Sequence, residues 1–400
     1  MSSLKPLKSS LGQPAEGESK FFARKKITDK ILRKLSNGEN LLLSAPRRIG
    51  KSSILKDIVR NQIDNEIIKY MIVQSVNSQE EFFKKLFNEL LEDTEILEGV
   101  GSYLAKTSAT LRSYVSRISG ISLDGITLNP EEVINYYEEC IKLISSFKTD
   151  KKIIIFIDEF PDALNNILKN DENLAINFLQ QNRDMREKFS SSNLQFVYTG
   201  STGLKNVVRK FKKLDLINDI ETINVPPFRD DEARELIGRL VLGYQEELEE
   251  FNLDAETIEY ILTIITWKLP YYMQIIVDGL FEYYEESEEP ITKDTVDLIL
   301  SELVKSKSNH SDYFENWKDR LSRAFKGDEY SFAIDVLNFI AKNETIDYAE
   351  FCDLASKHNV SEHRYVLDVL EHDGYVSEDE KKYGFNSILL KNWWFINVAI

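Results

Sequence analysis

Residues 153–157 read Ile-Ile-Ile-Phe-Ile, five apolar side chains in succession, followed at once by Asp158 and Glu159. A strand with one wet face alternates polar and apolar residues. An unbroken run instead predicts a strand covered on both faces, as in a parallel sheet between layers of helix. Parallel neighbours need long, usually helical crossovers, and the chain supplies them. Leu41-Leu42-Leu43 predicts a first strand, Ile67 to Val73 a second, Leu194 to Tyr198 a fourth, and Glu221 to Val225 a fifth at an edge. Ile54, Leu55, Ile58 and Val59 fall on one helical stripe, and 79–92 predicts another helix. Asn129-Pro130-Glu131-Glu132 predicts a further helix start, with Asn129 as cap, Pro130 at the first helical position and Glu132 completing a capping box; Val133, Tyr137, Ile141 and Ile144 form its apolar face. The expected fold class is α/β, with a core over residues 21–225. The stretch 92–129, containing a helix up to Val115 and a hairpin-like segment from Gly120, interrupts the pattern and reads as an insertion.

The chain has 400 residues, which at about 150 per domain allows two or three domains. After Pro226-Pro227 the spacing becomes almost wholly helical, as at Ala233, Leu236, Ile237, Leu240 and Val241, and predicts a helical lid over 226–325. Residues 326–400 predict three helices at 329–342, 347–357 and 361–373, then two strands around an acidic turn, the pattern of a winged helix. Residues 1–20, rich in Ser, Pro, Gly and Lys, read as a flexible tail.

Charge and cysteine usage narrow the function classes. The net charge is 50 − 67 = −17, so general polyanion binding is excluded and a nucleic acid would need a local basic patch. Two distant cysteines, Cys140 and Cys352, exclude a disulfide framework and lead us to expect a cytoplasmic setting. No apolar run is long enough to span a bilayer, so no membrane role is expected.

Three motifs carry chemistry. Ala45-Pro46-Arg47-Arg48-Ile49-Gly50-Lys51-Ser52 fits the phosphate-binding loop, between an apolar strand and an amphipathic helix. Such a loop wraps an anion while the first helical N–H groups face it. Gly50 permits the tight backbone, Lys51 places a cation on the β and γ phosphates, and Ser52, followed by Ser53, offers a hydroxyl to Mg²⁺. Ala45 stands where glycine is commonest, which requires ordinary φ at the loop entry. Asp158 and Glu159 close the buried strand, where packing gives carboxylates no reason to be. Asp158 is placed to hold Mg²⁺ through water, and Glu159 to polarise the attacking water. Thr199-Gly200-Ser201 ends the fourth strand, and Thr199 or Ser201 there reaches a γ-phosphate or the water. Arg47 and Arg48 serve phosphate, a neighbouring subunit, an acidic partner or solvent. Phe22 and Arg24 either border the adenine or, in the case of Phe22, pack.

Phe22-Ala23-Arg24, residues 45–55, Ile157 to Pro161, Thr199 to Ser201 and Pro227-Phe228, in this order, resemble the archaeal-type P-loop ATPases. These are kin to the STAND and origin-recognition ATPases of the AAA+ group. Tyr383 to Ser387 with Trp393-Trp394 resembles that family's winged-helix terminus. The resemblance covers nearly everything after residue 20. It implies an ATP- or ADP-binding core, a lid and a C-terminal winged helix, with Lys51 and Ser52 on phosphate and Mg²⁺, and Asp158 and Glu159 as the magnesium and water-activating pair. Pro270 matches the lid proline that approaches the nucleotide, although Lys268 replaces the usual glycine. The Gly-Arg pair expected before the fifth strand is Ile217-Asn218-Asp219-Ile220 here, so no arginine finger carries over.

The expected function is ATP binding with slow Mg²⁺-dependent hydrolysis, in a nucleotide-controlled switch that engages a protein partner. The alternatives are a DNA-acting ATPase, such as a loader or a transposition or replication accessory, and a non-hydrolysing scaffold. Residues 328–400 carry fourteen acids and six bases, which disfavours DNA on the winged helix. The basic stretch is 20–60, with twelve bases against three acids. A nucleotide-dependent homo-oligomer is left open.

Overall fold

The computed structural model describes residues 4–62, 65–92, 103, 107, 111–112, 114–115, 134–147, 149–190, 194–200, 203–305 and 311–399. Most of the expected insertion, the helix start at Asn129-Pro130 and Ser201 lie outside these residues. The chain forms two compact units.

One unit comprises Arg24–Ser44 and Ile54–Asn224. It holds a five-stranded parallel sheet of β1 (Asn40–Ser44), β2 (Glu66–Ile72), β3 (Lys152–Asp158), β4 (Leu194–Thr199) and β5 (Ile220–Asn224), in the order β2-β3-β4-β1-β5. The apolar run lies in β3, and Ile154 to Ile157 have no exposed surface. This follows from its place inside the sheet, with β2 and β4 on either side. β5 is an edge strand, paired with β1 alone in this sheet. The helices of this unit are α1 (Lys25–Ser36), most of α2 (Lys51–Arg60), α3 (Gln79–Leu91), α4 (Tyr136–Ser145), α5 (Phe160–Asn170), α6 (Glu172–Lys188) and α7 (Leu204–Lys210). Ser78 caps α3 by accepting from the Glu81 amide, and Asn135 caps α4 by accepting from that of Glu138. A cluster of Phe82, Phe83, Phe160 and Phe178 packs edge to face or tilted at ring distances of 4.8–6.1 Å. Arg186 of α6 is buried and grips Asp219 with Nε at 2.6 Å and Nη2 at 2.9 Å, fixing the chain just before β5.

The other unit comprises Met1–Ala23, Ala45–Ser53 and Val225–Ile400. Its helices are α8 (Asp230–Gln245), α9 (Ala255–Ile264), α10 (Pro270–Ser287), α11 (Lys293–Leu303), α12 (Ser311–Ala324), α13 (Gly327–Asn343), α14 (Tyr348–Lys357), α15 (His363–Asp373) and α16 (Ile388–Asn397). A small antiparallel sheet of β6 (Thr345–Asp347), β7 (Val376–Asp379) and β8 (Lys382–Phe385) runs in the order β6-β8-β7. The three helices and the hairpin expected after residue 326 are therefore present, within two residues of the anticipated starts.

Residues 45–53 group with 225–400, where the Arg48 guanidinium lies 4.9 Å from the Tyr271 ring centre. The stretches before and after residue 325 fall in this one unit. α12 ties both parts together, since the Tyr375 hydroxyl donates to the Trp317 carbonyl at 2.6 Å and Phe314 stacks near Trp393 at 6.0 Å. Finally, the opening residues are not a loose tail. Leu7 is buried, its amide donates to the Arg239 carbonyl at 2.8 Å, and the Ser10 amide donates to Gln274 Oε1 at 2.7 Å. A single apolar anchor in a polar segment is enough to dock it.

Candidate nucleotide site

The loop between β1 and α2 carries the first group of candidate residues. Ala45 is buried and enters with ordinary φ, while Arg48 and Gly50 take left-handed φ of +66° and +95°. Glycine does this without strain, whereas arginine pays a steric penalty that the surroundings must offset. Lys51 is buried, and its ammonium donates to the carbonyls of Ala45 at 2.7 Å and Pro46 at 2.9 Å. The loop thus curls around its own cation. Ile49 is buried beneath it, Ser52 is half-buried, and Ser53 Oγ accepts from the Ala15 amide at 2.9 Å. Arg47 Nη1 donates to Asn316 Oδ1 at 2.5 Å, and the Arg48 guanidinium lies 4.9 Å from the Tyr271 ring centre. Pro270 opens α10 at its first position, where the missing N–H costs nothing. Phe22 meets Phe228 at 5.2 Å, beneath the Arg239 guanidinium. Lys268 is paired with Asp230 at 3.0 Å.

The sheet unit carries the second group. Its strands are all parallel, so β1, β3 and β4 end on one edge. Asp158 is 3% exposed there. Its Oδ2 accepts from the Tyr70 hydroxyl at 2.5 Å and its Oδ1 from the Glu159 amide at 3.1 Å. Lys56 lies 5.8 Å from the Tyr70 ring centre. Glu159 has φ +60° and ψ +36° at the cap of α5. A non-glycine residue held left-handed at a strand end is strain of the kind that accumulates at functional positions. On the adjacent strand Thr199 is fully buried, and its Oγ1 has no hydrogen-bond partner among the described residues. An orphan hydroxyl of that kind usually awaits a ligand or water. Arg24, at the start of α1, is buried, and its carbonyl accepts from the Ile27 and Thr28 amides at 2.9 and 3.0 Å.

Gly200 brings the ends of β3 and β4 together. A Cβ at this position would lie 2.5 Å from Pro161 Cδ and 3.4 Å from Glu159 Oε2. The proline ring cannot swing aside. Gly200→Ala is therefore expected to cost about 1–3 kcal/mol by overpacking, read as a lower denaturant midpoint. An unchanged midpoint would show that Pro161 yields.

Two features of these groups were missed by sequence reasoning. Tyr70 looks like any aromatic strand residue, and Tyr271, Tyr313, Asn316, Trp317 and Arg320 lie more than two hundred positions from the loop they meet.

The fold was compared with solved structures. The Walker-type ATPase PABY2304 of Pyrococcus abyssi superimposes with a TM-score of 0.62 at 16% identity, over 95% of this chain and 98% of that one. This chain has the P-loop ATPase fold. Weaker likenesses to the same fold are the Aeropyrum pernix ORC2 protein (TM-score 0.49, 11% identity, 95% and 96% covered) and Cdc6p from Pyrobaculum aerophilum (0.43, 13%, 95% and 94%). No protein-family model matches the sequence, and no curated protein matches it significantly.

Proposed function

We propose that the chain binds ATP and Mg²⁺ and hydrolyses ATP slowly to ADP and phosphate, as a nucleotide-controlled switch that engages a protein partner. The observation that carries this reading is the loop itself: Gly50 left-handed, Lys51 folded onto the loop carbonyls, and a helix beginning immediately behind. The likeness to a Walker-type ATPase supports it.

The residues present fit a magnesium nucleotide. Among the described residues no three His, Cys, Asp or Glu side chains gather as a metal site. Magnesium suits such a setting, because it draws on phosphate oxygens and water with only one or two carboxylates. Ser52 and Asp158 would hold it, and when bound it supplies charge neutralisation at the phosphate oxygens. Lys51 would exchange the Ala45 and Pro46 carbonyls for phosphate oxygens, a stronger charge-assisted contact. Glu159 would orient a water and take its proton. Thr199 would donate its orphan hydroxyl to the water or the transferring phosphate. Turnover is slow in this reading because Arg186, next to the segment where a finger would stand, is already held by Asp219.

A protein partner fits better than DNA, because residues 328–400 carry an excess of eight acids. Among the described residues no helix is long and apolar enough to cross a membrane. Cys140 and Cys352 are free thiols, in keeping with the cytoplasmic setting we propose.

The test is calorimetric titration of ATP into the full chain, with and without Mg²⁺. Saturation at one site per chain, tighter with Mg²⁺, is expected. No saturable uptake up to about 1 mM, the top of the usual substrate range, would overturn the reading.

A further inference from the structure

Arg47 and Arg48 of the loop line a cavity within the same unit. It has a volume of ≈ 190 Å³ and is lined by Arg47, Arg48, Tyr271, Asp312, Tyr313, Asn316, Trp317 and Arg320. Gly50, Lys51 and Ser52 do not line it, so it is distinct from the backbone cradle. A single water needs only about 10–15 Å³, so a small polyatomic ligand has room.

The lining holds three guanidinium groups against one carboxylate, Asp312; a second acid, Asp373, sits behind Arg320 at 3.4 Å. Counting both acids the charge is still positive. Arg320 is 7% exposed and paired with Asp373, which holds its guanidinium in place at the cavity wall. Arg48 lies over two rings, 4.9 Å from the Tyr271 centre and 5.8 Å from that of Tyr313, and these rings stack at 4.2 Å. Burial pushes the Tyr271 phenol up to about 12, so the ring stays neutral under the cation. A guanidinium held beside aromatic rings by cation–π attraction makes no hydrogen bond to them and keeps its N–H groups for a ligand. Arg48 Nε is buried and has no hydrogen-bond partner among the described residues. That unsatisfied charged donor, on a residue held in left-handed φ, has a cost that a ligand would remove.

We propose that this cavity is an oxyanion site that takes a small phosphate-class anion, separate from the nucleotide cradle. Three guanidinium groups lining one cavity from two segments suit a tetrahedral anion with several oxygens better than a planar carboxylate, which one fork satisfies. The anion would join the phosphate loop, through Arg47 and Arg48, to α12 through Arg320. It comes from one of two sources, the free ion or the phosphate tail of a nucleotide.

The probe is pyrophosphate, titrated into the full chain by calorimetry. Wild type is expected to bind it at two sites per chain, the cradle and this cavity, and Lys51→Ala, which disables the cradle, is expected to keep the one site at this cavity. Arg48→Gln should weaken it about tenfold or more, the size of one lost charge-assisted hydrogen bond. Asn316→Asp, which leaves all three arginines in place and sets a carboxylate against Arg47, should weaken it comparably. Matching melting curves without anion show that each variant is folded. Displacement of pyrophosphate by ATP in Lys51→Ala assigns the site to a nucleotide tail, and no displacement assigns it to the free anion; both uphold the site. Loss of pyrophosphate binding in Lys51→Ala, full binding in both Arg48→Gln and Asn316→Asp, or no binding to wild type overturns it. Wild type that takes up pyrophosphate but not ATP would sink the nucleotide reading and leave this one standing.

Discussion

Glu159→Gln is expected to lower ATP turnover by about 100-fold or more while ATP affinity stays within about threefold. A positioned general base contributes roughly 10²–10⁴ in rate, and glutamine keeps the shape of the side chain but cannot take a proton. The geometry singles out this carboxylate over its neighbour. Asp158 is buried and occupied by Tyr70 and the Glu159 amide. Glu159 is half-buried, and its Oε2 lies beside Gly200, where β4 ends. Single-turnover phosphate release with calorimetric ATP binding separates rate from affinity. Equal rates in wild type and variant would remove Glu159 from the mechanism.

Lys51→Ala is expected to weaken ATP binding by about 100-fold or more, which corresponds to two or so charge-assisted hydrogen bonds. The ammonium is the cation that the loop wraps most closely. Its removal also leaves the Ala45 and Pro46 carbonyls without that donor, so the fold must be checked. Lys51→Arg does this, because it restores the charge but carries a wider head group. A folded Lys51→Arg protein with weakened ATP binding points to the cradle. Unchanged ATP affinity in a folded Lys51→Ala protein would show that the loop holds no phosphate.

Much of the sheet was legible because burial on both faces leaves an unambiguous pattern. Residues 153–157 had no polar position to dilute the signal, and the loop at 45–52 carried its glycine and lysine between a strand and a helix that the structure contains. The strand-end acids and Thr199 were legible for a related reason, since polar groups at the rim of an apolar strand need another use. What escaped depends on distance along the chain. Composition averaged over residues 1–20 hid the one leucine that docks them. The Tyr70 hydroxyl is visible only once β2 lies beside β3. The nearness of Arg48 to the aromatics on α10 and α12 is likewise invisible along the chain, because the local pattern assigns the loop to the strand it follows.

The backbone passes from one unit to the other at 23–24, 44–45, 53–54 and 224–225. Neither unit is a continuous stretch, so no single scission liberates a self-sufficient piece. A fragment ending at Asn224 would keep Arg47 and Arg48 but lose the tyrosines beneath Arg48. A fragment starting at Val225 would keep those rings without their cations. Dissection by truncation would therefore dismantle the very surfaces it set out to isolate, and the intact polypeptide is the smallest object on which its chemistry can be measured.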